Sequence, residues 1–383
     1  MNHNSYINSL DHKNTRELNI IWDLGPRCNF DCVYCDPITH DNYSEHATFD
    51  ELKQTTFFIK EYLDLVLSYR KKKNFNVSLT GGEPTYNPHF DKIIPYLHEK
   101  FGKHFNITTN GSFNDNVRNV MKEHMTKLTI SYHCDSSKAV KERVVDNMLW
   151  LKENGFKFRV NLMFHFREDY FRECIQLAKF FETKNINYVP RVVNHHPYTD
   201  EQSKWFADYW AGKSSQIKIK KEEPKKVHTH SKQQANKVKK NPIKEQEHTT
   251  VIKGRHCCSA GQDLEVRSDN KWLTERYVKD TNFNEWYCSV NWFFTHINQK
   301  TGDVYYHQTC QHNFDNKREP IGNLKNTNLI INDLKEKFDS GQTPIIKCTI
   351  DWCKCGMCTP KSYNLNTFKD IMKNHTTVAY GME

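Results

Sequence analysis

The segment Leu18-Asn19-Ile20-Ile21-Trp22-Asp23-Leu24-Gly25-Pro26-Arg27-Cys28-Asn29-Phe30-Asp31-Cys32-Val33-Tyr34-Cys35 joins an apolar run to three cysteines spaced C-x3-C-x2-C. The run from Leu18 to Leu24 reads as a strand, and the cysteines as the loop that leaves its C-terminal end. Thiolates at this density are ligands for soft or borderline metals, and three of them leave one iron of a four-iron cube without a protein ligand. Such an iron is a place for chemistry. Taken alone, the loop also fits a structural zinc site completed by His40 or His46.

A second apolar run ends in Ser78-Leu79-Thr80-Gly81-Gly82-Glu83-Pro84. Two glycines let a backbone approach a ligand closely, and the neighbouring Glu83 carboxylate can orient an ammonium. The two motifs lie about fifty residues apart, each at the C-terminal end of a predicted strand, and the pair is specific where either one alone is not.

In this order and spacing they resemble the radical S-adenosylmethionine superfamily. The resemblance implies that Cys28, Cys32 and Cys35 hold a [4Fe-4S] cluster whose fourth iron is chelated by the amino and carboxylate groups of S-adenosylmethionine. It implies that Gly81, Gly82, Glu83 and Pro84 meet the methionine amino group and that Tyr34 contacts adenine. Asn110, in the Thr109-Asn110-Gly111 turn, and Ser131 match positions that touch the ribose or carboxylate, and Met163 a position bordering adenine. Alternatives stay open for each: loop packing for Tyr34, backbone bonding for Asn110 and Ser131, and a core role for Met163. His133 and Cys134 end a predicted strand where substrate can be faced, and no residue reads as the catalytic acid or base.

Around these motifs the chain alternates. Thr48-Phe49-Asp50-Glu51 is a capping box, with Leu52, Ile59, Leu63 and Val66 following at helical spacing. Further strands are predicted over 75–79, 127–132, 156–164 and 186–193, with strand and turn over 105–111, and helices over 88–98, through Val144, Met148 and Leu151 to a stop at Gly155, and over 171–181. Six strand-helix alternations predict an α/β fold, a parallel sheet with helices outside it. The resemblance implies a partial (β/α)6 TIM-like barrel, and ligands collect at the C-terminal edges of such strands.

The division expected is a core domain over residues 1–212, a basic linker or loop over 213–250, and a small cysteine-rich α+β domain over 251–383. The last shows strand-like runs over 263–266, 292–297 and 303–307, a turn at Gly302, Ile321-Gly322-Asn323-Leu324 and a helix over 329–338. Cys288 and Cys310 bracket the predicted hairpin, and Cys348, Cys353, Cys355 and Cys358 close the segment. This layout resembles the SPASM/twitch extension of radical S-adenosylmethionine enzymes. It implies at least one auxiliary [4Fe-4S] cluster on Cys288, Cys310 and two or more of the terminal four, with Cys257 and Cys258 as weaker candidates. A zinc knuckle is the alternative.

The +9 formal charge is local: eleven lysines against Glu222 and Glu223 between Lys213 and Lys244 account for all of it. That stretch reads as a solvated linker, although a basic tether also binds phosphate backbones, which keeps nucleic acid open as a partner. Thirteen cysteines, odd in number and clustered, point to metal in a reducing compartment and away from disulfides. No run has the length of a membrane span or signal peptide, so the expected location is cytoplasmic, with no membrane partner. The first strand begins near residue 18, which leaves no room for a preceding peptide-recognition domain. The resemblance implies a one-electron reductant of the flavodoxin or ferredoxin type and reductive cleavage to a 5′-deoxyadenosyl radical. That radical would abstract hydrogen from an unknown substrate: a peptide or protein, a nucleoside or a sugar. The contrasting reading is a non-catalytic, zinc-binding, nucleic-acid-associated protein.

Overall fold

The computed structural model describes residues 6–8, 17–35, 40–70, 73–193, 198–210, 285, 287–288, 290–306, 320–347, 361–362 and 364–366. After β1 (Tyr6–Asn8), six strands, β2 (Leu18–Asp23), β3 (Phe75–Thr80), β4 (Phe105–Thr109), β5 (Lys127–His133), β6 (Lys157–Phe164) and β7 (Tyr188–Val192), pair in sequence order, every pair parallel. The helices following them in the same part of the chain are α1 (Phe49–Ser68), α2 (Phe90–Phe101), α3 (Asp115–His124), α4 (Lys138–Glu153), α5 (Glu168–Thr183) and α6 (Asp200–Trp210). This is an α/β fold with a mostly parallel sheet, as the alternation predicted.

The strands have two different faces. Ile20, Trp22, Val77, Leu79, Ile107, Leu128, Ile130, Val160 and Leu162 are fully buried in the main core with residues of the helices. Their alternates, Asn19, Ser78, Asn106, Ser131 and Asn161 among them, are polar, and Ser78 Oγ donates to Asn106 Oδ1 at 2.8 Å across β3 and β4. A parallel sheet covered by helices on both sides is apolar on both faces. Here period-two alternation leaves one face to line a polar interior that opens at the strand ends.

Local chemistry explains the first helix. Thr48 Oγ1 accepts from the Glu51 amide while the Glu51 carboxylate accepts from the Thr48 amide, a closed capping box that satisfies two end donors. Leu52, Ile59, Leu63 and Val66 then lie on its buried face, each worth about 1.5–3 kcal/mol of burial. No apolar periodicity announces α3, because only Val117 and Met121 of its ten residues are buried. Its start is nonetheless capped by Asn114, which accepts from the Val117 amide at 3.1 Å.

The C-terminal part adds strands to the same sheet. β8 (Tyr287–Cys288) is followed by β9 (Phe294–Asn298), β10 (Asp303–Tyr305) and β11 (Gly322–Asn323), then by α7 (Thr327–Asp339). β9 pairs parallel with β2, so the sheet runs β11-β10-β9-β2-β3-β4-β5-β6-β7. The run over 292–297 read as strand begins two residues late, since Val290–Phe293 is helical. Hydrogen bonds fix this addition: Trp22 Nε1 and Thr55 Oγ1 both donate to Gln299 Oε1 at 2.9 Å, and the Gln299 amide donates to Asp23 O at 2.9 Å. The buried Arg70 guanidinium donates to Trp292 O at 2.5 Å and stacks over the Trp292 ring. The hairpin turn at Gly302 is as expected, with φ at +74°. β12 (Gln342–Pro344) pairs with β1, while β13 (Ile346–Lys347) and β14 (Lys361–Ser362) flank β8. Residues 213–250 and the run over 263–266 lie outside the described residues. Among the described residues no helix is long and apolar enough to cross a membrane.

Candidate active site

Two loops leave neighbouring strands and are stitched together by backbone. Gly82 N donates to Gly25 O at 2.8 Å and Glu83 N to Arg27 O at 2.9 Å, so the loop after β3 lies directly against the loop after β2. The two glycines are required by that contact. A Cβ on Gly82 would stand 2.3 Å from Arg27 O, and one on Gly81, whose φ is +125°, would stand 2.5 Å from Gly25 O. In the structure they admit another backbone.

Glu83 is buried, and its carboxylate accepts from the Thr85 amide at 2.9 Å, the Thr85 hydroxyl at 2.5 Å, the Thr109 hydroxyl at 2.7 Å and the Asn110 amide at 2.6 Å. Burial pushes its pKa up, against the pull of those donors. Three of these donors converge on Oε1, while Oε2 accepts from the Asn110 amide alone. Glu83 therefore locks β3 to the end of β4.

The cysteine loop is tied down at both ends. Cys28 N donates to Asp41 O at 2.7 Å, and Asp41 N donates back to Pro26 O at 2.8 Å. The Asp41 carboxylate accepts from the amides of Tyr43 and Ser44 and from the Ser44 hydroxyl, and Lys300, from the turn after β9, donates to Ser44 Oγ at 2.8 Å. On the opposite side Asn29 accepts from Asn110 Nδ2 at 2.8 Å and donates to Ser112 Oγ at 2.9 Å. Asn110 Oδ1 in turn accepts from the Ser112 amide and hydroxyl. Asn110 thus anchors the loop through both ends of its side-chain amide.

Cys28 and Cys32 are buried and Cys35 is half-buried. Burial pushes the Cys28 thiol up to about 11 and raises the Cys32 thiol as well, so iron must displace protons to bind here. Among the described residues, one group of three His, Cys, Asp or Glu side chains has its ligand atoms within 4.8 Å of one another, and it is Cys32, His133 and Asp135, not the three sulfurs. A tetrahedral zinc with bonds of about 2.3 Å needs sulfurs roughly 3.8 Å apart. A cube gives each thiolate its own iron and holds them wider, so the three-cysteine set fits the cluster better than a single ion. His40 pairs with Asp31 at 3.4 Å, and His46 lies against the Tyr86 ring, so neither completes a zinc site with the three cysteines.

At the end of β5, His133 Nδ1 lies 2.6 Å from Tyr34 Oη and 3.3 Å from Cys32 Sγ, and Tyr34 Oη lies 3.4 Å from Asp135 Oδ1. The Tyr34 and His133 rings are parallel within 8°, centroids 5.8 Å apart, with Phe30 edge-on to His133. Burial drops the His133 pKa to about 4 and leaves the imidazole neutral at pH 7. Ser131 and Met163 are half-buried on β5 and β6, Met163 in register with His133. Cys134 is fully buried, and its thiol, like that of Cys174, is directed at Met163 O. Facing substrate is not its role. The alternation Thr129, Ser131, His133 along β5 was the available signal that His133 points the way Ser131 does. Of the auxiliary candidates Cys288 is described, buried in β8 between β13 and β14. Cys257, Cys258, Cys310, Cys348, Cys353, Cys355 and Cys358 lie outside the described residues.

Residues 22–181 match the model of the Radical SAM superfamily. Over this segment the chain is similar to radical SAM domains. The match takes in β2 to α5, including the three cysteines and the Gly81-Gly82-Glu83-Pro84 loop. The superfamily implies a [4Fe-4S] cluster and S-adenosylmethionine. A GTP 3′,8-cyclase from Campylobacter lari is 23% identical over 186 residues, covering 45% of this chain and 55% of the cyclase, so the chain spans about half the length of that curated relative. Among solved structures, SuiB of Streptococcus suis superposes with a TM-score of 0.49 at 15% identity, over 84% of this chain and 66% of SuiB. SuiB bound to the precursor peptide SuiA gives 0.48 at 13% identity, over 84% and 67%.

Proposed function

We propose that this protein is a cytoplasmic radical S-adenosylmethionine enzyme that modifies a peptide or protein, a nucleoside or a sugar. The observation that carries the reading is the pair of backbone-stitched loops at the C-terminal edge of the sheet, inside the segment that matches the superfamily. Cys28, Cys32 and Cys35 would hold the cluster. When bound, it supplies one electron for homolytic cleavage of the sulfur to C5′ bond, the chemistry being the cofactor's and the alignment the protein's. The Gly81-Gly82-Glu83 backbone, fixed by Glu83, would present the methionine end, and Tyr34 with His133 would close the adenine side and keep water out. An auxiliary cluster on Cys288, Cys310 and two or more of Cys348, Cys353, Cys355 and Cys358 would carry electrons from the substrate or ligate it. The reductant is a flavodoxin or ferredoxin type.

Anaerobic reconstitution with iron and sulfide, followed by dithionite and S-adenosylmethionine, is expected to release 5′-deoxyadenosine. Simultaneous replacement of Cys28, Cys32 and Cys35 by Ala is expected to stop it. Release that persists in the triple variant would overturn the assignment. A second reading, a lone zinc, is favoured by the close grouping of Cys32, His133 and Asp135. Zinc without sulfide in anaerobically purified protein would select it.

A further inference from the structure

We propose that His133 is a positioning residue whose Nδ1–H, held by Tyr34 and Asp135, donates a hydrogen bond to the Cys32 thiolate and raises the reduction potential of the cluster. This rests on the reading that Cys28, Cys32 and Cys35 hold that cluster.

The polarity of the network follows from its end members. Nδ1 of His133 has two neighbours, Cys32 Sγ at 3.3 Å and Tyr34 Oη at 2.6 Å. A cysteine bound to iron is a thiolate, which has no proton to give and can only accept. The contact with Cys32 is then attractive in one tautomer alone, with the proton on Nδ1. That proton is shared with Tyr34 Oη, which must accept from it and turn its own hydrogen elsewhere. Asp135 Oδ1, 3.4 Å from Tyr34 Oη, is there to receive it. The chain reads carboxylate, phenol, imidazole, thiolate, each group donating in a sense fixed by the next. The parallel Tyr34 ring and the edge of Phe30 keep the imidazole plane from turning away.

Consequences for the redox couple are electrostatic. Reduction adds negative charge to the iron-sulfur unit, part of which resides on the ligand sulfurs, and a hydrogen bond to such a sulfur is stronger in the reduced form than in the oxidised one. A donor at Cys32 therefore shifts the equilibrium toward the reduced state from which the cleavage electron is given. The tautomer is set by the partners of the ring, as in metal sites where an outer carboxylate orients a histidine. The same network also supplies a reason for a tyrosine, and not a phenylalanine, before Cys35.

The test is an EPR-monitored redox titration of the anaerobically reconstituted full chain, following the signal that S-adenosylmethionine addition perturbs. His133→Phe removes the donor and is expected to make reduction about tenfold less favourable, about 59 mV lower for a one-electron couple. His133→Asn keeps an N–H close to the Nδ1 position and is expected to stay within about twofold of wild type, since the donated bond is retained. Tyr34→Phe frees the tautomer and is expected to fall in between. Equal potentials in wild type, His133→Phe and Tyr34→Phe, with iron and sulfide loaded normally, would overturn the proposal. Should His133→Phe fail to load iron, Tyr34→Phe decides: a lowered potential supports the network and an unchanged one refutes it. A wild-type protein that forms no such cluster would overturn the cluster reading itself, and this inference with it.

Discussion

The loops after β2 and β3 lie side by side, yet they spend their polar groups in opposite ways. In the loop after β3 the Glu83 carboxylate accepts from four protein donors, and both glycines are compressed against the neighbouring backbone. In the loop after β2 the fastening is done by backbone, Asn29 and Asp41, while the three sulfurs stand wider than a single ion requires. A side chain that is heavily bonded fixes geometry, and one that is sparingly bonded is kept for chemistry. The first loop should therefore fail by unfolding and the second by losing its cofactor.

Replacing Cys32 by Ala is the widest separation of the two. Loss of 5′-deoxyadenosine release by more than about a thousandfold is expected, with a cost to the cofactor-free protein of only about 1 kcal/mol, read by thermal melting. Glu83→Ala strands buried amides at Thr85 and Asn110. It is expected to cost about 3–5 kcal/mol, a Tm drop of roughly 4–6 °C in a chain of this size. A melt unchanged by Glu83→Ala would erase the contrast.

Gly82→Ala probes the seam itself. With Arg27 O only 2.3 Å from the new Cβ, the loops must separate, which is expected to cost about 2–3 kcal/mol and to weaken iron retention through the shifted cysteine loop. Smallest is Asp41→Ala, about 1–2 kcal/mol at pH 7 for the lost acceptors of Tyr43 and Ser44. Desolvation raises the Asp41 pKa, but the Ser44 hydroxyl and amide, the Tyr43 amide and Lys300 outweigh it and hold the carboxyl below its usual value. A carboxyl depressed in the folded state contributes stability above its unfolded pKa of about 4 and loses it as pH falls through the folded value. The gap between Asp41→Ala and wild type should accordingly close below pH ~4 in pH-dependent melts, and a gap constant with pH would remove the carboxylate from the account.

Legibility in the sequence followed locality. The capping box at Thr48, the strand alternation and both motifs depend on neighbours within a few residues, and the structure has them where the residues indicated. Glycine spacing announced a close approach at Gly81 and Gly82 but not what approaches, because Arg27 O is supplied by another strand's loop. The parallel pairing of β9 with β2 joins residues 294–298 to 19–23, and no short-range pattern specifies such a partner. His133 was visible as a polar residue at a strand end; its contact with Cys32 depends on how the loop after β2 folds back, which only the hydrogen bonds through Asn29 and Asp41 determine.

During synthesis the strand that covers the free edge of β2 emerges late, after more than 270 residues have left the ribosome, since β9 begins at Phe294. Until then a half-finished sheet offers unpaired backbone donors and acceptors to any extended neighbour, the kind of edge that recruits other chains. Production in cells would thus be governed by how long that nascent intermediate waits. A version released after residue 210 is expected to self-associate in size-exclusion chromatography where the full chain does not.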